Sequence, residues 1–177
     1  MSNEMKQSIA PRTYSPILVI GVGNRVRQDD AAGLVLAEYI RRRNIPGVCV
    51  VEHNGEGTSL MDTWRGAHAV IVCDAVRSGD LPGTAYRLDV SETRVSRGFF
   101  RYSSHSFGVA EAVQLAQFLG DLPPYFVIFG IEGKEFGYGV SLSEEVADAV
   151  EEVAGRITAE IEAIRSRSEF QGASTAA

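Results

Sequence analysis

"GVGNRVRQDDAAG", residues Gly21 to Gly33, decides how the chain is read. The apolar, β-rich run "PILVI" leads into it, so residues 17–22 are expected to form a buried strand ending in glycines. "DDAAGLVLAEYIRRRN" follows and predicts a helix. Leu34, Leu36 and Ile40 supply its apolar positions, Arg41 to Arg43 lie at its C-terminal end, and Asp29 or Asp30 is expected to cap its start. A strand, a glycine turn and a helix open an α/β unit. Glycines at such a turn usually cradle a phosphate at the helix N-terminus, yet two adjacent carboxylates would repel one. The stretch therefore asks for a ligand that tolerates acids.

Working outward, "GVCVVEHNG" predicts a second strand over 47–52, "GTSLMDTWRGA" a short helix over 59–65, and "HAVIVCDAV" a third strand over 69–74. "RSGDLPG" is too short for a crossover helix, so the strand at 84–90 is expected to turn back antiparallel to its predecessor. "HSFGVAEAVQLAQFLGD" reads as a helix with Val109, Val113, Leu115, Ala116 and Leu119 available for burial. A strand over 125–131, the glycine-rich "KEFGYGVSLS" and a long last helix complete the chain. The order β-α-β-α-β-β-α-β-α predicts a three-layer α/β sandwich. Its twisted five-stranded sheet is mostly parallel, with one antiparallel edge strand and helices on both faces. Residues 16–166 are expected as a single domain, between a flexible N-terminal segment, 1–15, and a flexible C-terminal tail, 167–177.

A chain of 177 residues can bury one full core. Its net charge of -6 argues against nucleic acid or an acidic membrane as the main partner. The N-terminal residues lack an apolar h-region, so no secretory signal is expected, and no apolar stretch reaches membrane-spanning length. Cys49 and Cys73 both sit in apolar runs and are expected to be buried, reduced thiols, which fits a cytoplasmic protein.

In such sheets ligands bind beyond the carboxyl ends of the strands. The residues expected there are Asn24, Asp29 and Asp30 after the first strand, Glu52, His53, Asn54 and Glu56 after the second, and Asp74 after the third. His105 starts the third long helix, and Glu132 and Glu135 follow the last strand. His68 precedes the third strand at the opposite end and reads as structural or surface. Asp74 ends an apolar strand. It needs a donor, a cation or a metal, or is a hydrogen-bonded turn aspartate. One acid of the Asp29–Asp30 pair suffices as a helix cap, so the other points elsewhere. His105 at a helix start favours the neutral imidazole that a metal wants. Asp30, Asp74 and His105 thus form a plausible open site for a borderline divalent ion, with His53 as a reserve ligand.

On these residues the chain resembles the hydrogenase maturation endopeptidases, which trim a C-terminal peptide from the large-subunit precursor of nickel–iron hydrogenases. "GVGNRVRQDDAAG" is similar to that family's Gly-x-Gly-Asn, acidic pair and Gly; "VIVCDAV" to its strand ending in Asp-Ala; and "SSHSFGVAEAV" to its His followed by a helix. "GIEG" and "GVSLSEEV" are also similar to family features. The chain departs from the family at Ala31, where Gly is common, and in "EHNGEGTSL", where an Asp-Gly-Gly-Thr-like turn is common. The resemblance implies nickel ligation by Asp30, Asp74 and His105. The nickel would arrive on the precursor and would not be retained by the isolated protein. It also implies an aspartic-type endopeptidase; the acidic charge leads to the expectation of no nucleic-acid or membrane partner.

No Ser-His-Asp or Cys-His arrangement and no Gly-x-Ser-x-Gly elbow offers a nucleophile. Asp29 is a candidate base for the attacking water. Two other readings compete. One is a non-catalytic metal-sensing or chaperone module on the same fold. The other is dinucleotide binding, with Glu52 on a ribose, although Val26 stands where a third glycine belongs. Gly133, Gly137 and Gly139 suggest either a mobile loop on the ligand side or a plain turn-rich connection.

Overall fold

The computed structural model describes residues 17–91 and 108–174, with side chains as far as residue 167. Five strands, β1 (Ile17–Val22), β2 (Val48–His53), β3 (Ala69–Val76), β4 (Ala85–Asp89) and β5 (Tyr125–Glu132), form one sheet in the order β2-β1-β3-β5-β4. β1 pairs in parallel with β2 and β3, β3 pairs in parallel with β5, and β4 is antiparallel to β5. The expected sandwich with one antiparallel edge is thus present. The partner of β4 is β5, however, and not β3. A parallel β5 is inserted between them, so the short link after β3 spans one strand position rather than folding into a hairpin.

The helices are α1 (Ala32–Arg42), α2 (Gly57–Trp64), α3 (Val109–Leu119) and α4 (Glu144–Ser174). α4 therefore runs into the stretch read as a tail, as far as Ser174. Strand alternation divides the apolar side chains between two cores. Val19, Ile71 and Phe129 face α1 and α4, with Leu36 and Ile157 closing that layer. Ile20, Val72 and Phe126 face α2 and α3, with Leu60 and Val113 closing the other. Trp64 meets Phe126 edge to face at 4.9 Å, joining α2 to the sheet centre.

Both cysteines do not share one environment. Cys73 is buried in the central strand, while Cys49 is exposed. β2 is an edge strand, and its burial alternates only partly, so an apolar run there does not bury every member.

The opening glycines are used internally. A Cβ on Gly33 would lie 2.3 Å from the carbonyl oxygens of Cys73 and Val22, and one on Gly21 would lie 2.5 Å from Ala37 Cβ. Gly23 has φ +145, and its Cβ would strike the Asp30 carbonyl at 1.8 Å. The missing side chains let α1 lie directly on β1 and β3. The room they open is filled by the chain itself, which leaves the phosphate-cradle reading without its cradle.

Candidate metal and catalytic site

The first helix does not begin at the acidic pair. Gln28–Ala31 form a 3-10 turn, and α1 starts only at Ala32. Neither acid caps its own helix, because no side-chain cap bond is made at Arg27 or Ala31. Ala31 has φ -82, an ordinary helical value, so alanine fits where the family often has glycine.

The two neighbours take opposite roles. Asp29 is fully buried. Its Oδ2 accepts from the backbone N–H groups of Lys134 and Glu135, both at 2.8 Å, and from Ser143 Oγ at 2.8 Å. Its Oδ1 accepts from Ser143 N–H at 2.7 Å. Burial alone would raise its pKa, but the bonds from Glu135, Ser143 and Lys134 outweigh it and hold the carboxyl below the usual carboxylate range. With both oxygens so engaged, Asp29 is a structural anchor, and the expectation that it serves as a base is withdrawn.

Asp30 is 8% exposed and is the third residue of the turn, which packs on β3. Asp74 lies on β3 itself, partly buried, with Oδ1 accepting from Ala75 N–H at 2.8 Å. It continues the alternation of Val70 and Val72, so it stands on the face of α2 and α3. Burial, and then the charge of Asp30, push the Asp74 carboxyl well above the usual carboxylate range; the Ala75 N–H works the other way. Two carboxylates that raise one another's cost of ionisation are what a divalent cation would neutralise. His105, the third expected ligand, lies outside the described residues, and among those residues no group of three His, Cys, Asp or Glu side chains could hold a metal.

The other rim residues have structural employment. Glu52 accepts from Arg25 at 2.7 Å and Arg41 at 3.0 Å, which ties the glycine turn to β2 and α1 and removes it as a ribose contact. His53 Nδ1 accepts from Gly55 N–H at 2.9 Å, so Nε2 carries the proton toward Ser59 Oγ at 2.7 Å. Burial lowers the His53 pKa, and with both nitrogens engaged it is no reserve ligand. Asn24 Oδ1 and Asn54 Oδ1 each accept from the backbone N–H two residues on. Glu56 caps α2 through Thr58 and Ser59, chiefly Thr58, and its pKa is pushed down to about 2. Glu132 is buried, where it accepts from Ser78 N–H, Ser78 Oγ and Gly79 N–H and so fixes the turn after β3.

Sequence reading missed Gln28. Its backbone is left-handed, with φ 49, and its amide donates to Glu135 Oε2 at 2.8 Å while accepting from Gly137 N–H at 3.0 Å. The partners lie more than a hundred positions away along the chain, so no local pattern announced them. The glycine-rich loop after β5 is accordingly pinned to the segment before Asp30. Gly139 forms a parallel bridge with Arg27, whose guanidinium also donates to the Phe136 carbonyl at 2.9 Å. His68 is exposed at the opposite end of the sheet, as expected.

Comparison with known proteins agrees with this architecture. The family model described as HycI, hydrogenase maturation protease, matches residues 35–160. The chain is 30% identical over 142 residues to the hydrogenase expression/formation protein HupD of Thiocapsa roseopersicina, covering 78% of this chain and 64% of that protein. It is 32% identical over 142 residues to the hydrogenase expression/formation protein HoxM of Azotobacter vinelandii, covering 78% and 69%. The chain thus spans about two thirds of the length of these curated relatives. A solution structure of an endopeptidase from Escherichia coli superposes with a TM-score of 0.71 at 26% identity, over 81% of this chain and 90% of that one.

Proposed function

Because the chain belongs to the hydrogenase maturation protease family, we propose that it is an endopeptidase that removes a C-terminal peptide from the nickel-carrying precursor of a nickel–iron hydrogenase large subunit. The observation that carries this reading is the acid pair. Asp30 and Asp74 arrive from separate elements at one strand-end edge, close enough for each to feel the other's charge. Asp30, Asp74 and His105 take up the precursor's nickel, and the metal is therefore part of the substrate rather than a resident cofactor. The docked metal would orient the scissile bond at the carboxyl end of β3 and would polarise its carbonyl or a bound water. Water adds to the carbonyl carbon, the peptide C–N bond breaks, and the released amine takes a proton. A cation relieves the repulsion between the two acids, and this favours a nickel-loaded precursor over an unloaded one.

The decisive experiment incubates the purified chain with nickel-loaded and nickel-free precursor and follows the precursor by mass spectrometry. Loss of the C-terminal peptide from the loaded form alone is expected, and Asp74→Asn should abolish it. Normal processing by Asp74→Asn would remove the proposed carboxylate role. Binding without cleavage by the wild-type chain would favour a non-catalytic metal-sensing module instead.

A further inference from the structure

The loop after β5 and the segment leading to Asp30 together expose three large apolar side chains. Tyr138 is 93% exposed, Val140 81% and Val26 52%. Tyr138 and Val140 flank Gly139, and Val26 flanks Arg27, the two residues joined by the parallel bridge. Gly139 N–H donates to the Val26 carbonyl at 3.1 Å and Gln28 N–H to the Gly139 carbonyl at 3.0 Å, so the three side chains lie across one short two-stranded ribbon. Three residues separate Val26 from Asp30, and Asp30 N–H donates to the Arg27 carbonyl at 3.1 Å, which sets the ribbon beside Asp30.

Isolated apolar residues on a surface need no explanation, but clustered ones on a fixed backbone do. This backbone is fixed. Asp29 anchors Lys134, Glu135 and Ser143, and Asp29 N–H donates to the Glu135 carbonyl at 3.0 Å. A Cβ on Gly139 would meet Gln28 Cγ at 2.8 Å, so the ribbon packs as closely as its glycine allows. The apolar side chains are therefore held outward by a frame whose ordering is complete before anything binds, which lowers the cost of association. Neither core includes any of the three.

We infer that Val26, Tyr138 and Val140 form the surface on which the large-subunit precursor docks while its metal reaches Asp30 and Asp74. The occupant follows from continuity. The ribbon is hydrogen-bonded to Asp30 through the Arg27 carbonyl, and its anchor is Asp30's own neighbour, so a body seated at Asp30 has the ribbon at its side. The precursor should meet it with an apolar patch next to its metal-bearing tail. The inference rests on the processing activity proposed above.

The test is the double variant Tyr138→Ser with Val140→Ser, assayed on a nickel-loaded precursor that the wild-type chain cleaves. KM should rise about tenfold with kcat within about twofold, because the lost contacts serve binding rather than the reacting bond. An unchanged thermal midpoint confirms intact folding. An unchanged KM overturns the docking role and leaves the protease reading standing. A wild-type chain that cleaves nothing overturns the protease reading. Precursor binding by surface plasmon resonance then judges the surface: weaker binding by the double variant supports it, and equal binding overturns it.

Discussion

Asp29 and Asp30 are the same residue type, one peptide bond apart, and the fold gives them different work. Asp29 is charged at little cost because four donors meet it, whereas Asp74, opposite Asp30, is held in a place that resists its charge. Opposite pH signatures follow. A depressed folded pKa contributes stability that is present above the unfolded carboxylate pKa and is lost as pH falls through the folded value. Asp29→Asn should therefore cost about 2–3 kcal/mol at neutral pH, with the deficit shrinking in acid, because donors lose their acceptor. A raised folded pKa does the reverse, so its cost is felt as pH climbs above the unfolded value. Asp74→Asn should accordingly stabilise the metal-free protein at neutral pH and make no difference in strong acid. Urea unfolding at neutral and acid pH checks both. A destabilising Asp74→Asn would mean that the acid is bound into the fold rather than held against its preference. Sequence could show that one acid of the pair was surplus to a cap. It could not show which one, because the donors that decide it come from residues 134–143.

At the scale of elements, the strands and their order were legible because apolar runs bounded by glycine and acid have few other readings. Pairing was not legible. The link "RSGDLPG" excluded a crossover helix correctly, yet whether β4 joins β3 or β5 depends on a strand formed later in the chain. The same non-locality misled the reading of Cys49, whose apolar neighbours belong to an edge strand none of whose residues is fully buried. The structure thus predicts unequal thiols. In the native protein one of the two cysteines should react promptly with a disulfide reagent, and the second only after denaturation, since burial pushes the Cys73 thiol up and shields it. Cys49→Ser should abolish the prompt phase. Two prompt thiols would mean that the central strand opens readily.

Across the whole molecule, two cores share one sheet, and Phe126 on β5 meets Trp64 of α2 within the core on the α2 and α3 side. Phe126→Ala should cost roughly 3–5 kcal/mol, from lost transfer energy plus a residual cavity. The tryptophan is the chain's only one, so its emission reports that layer, while far-ultraviolet dichroism reports the helices of both layers. Coincident urea transitions by the two probes are expected for a single cooperative unit. Separated transitions would show that the two layers unfold independently. Among the described residues no helix is long and apolar enough to cross a membrane.

The contact of Gly33 with the backbone of β1 and β3 has a consequence for how such a site can change over time. Backbone rests on backbone there, so no repacking of side chains can slide the turn along the strand and alter the distance between the acids. What remains adjustable is the reach of each acid, in steps of one methylene, as in an exchange of aspartate for glutamate at position 30. The scaffold behaves as a fixed ruler, and any change in the spacing of the two carboxylates is left to the length of the side chains that carry them.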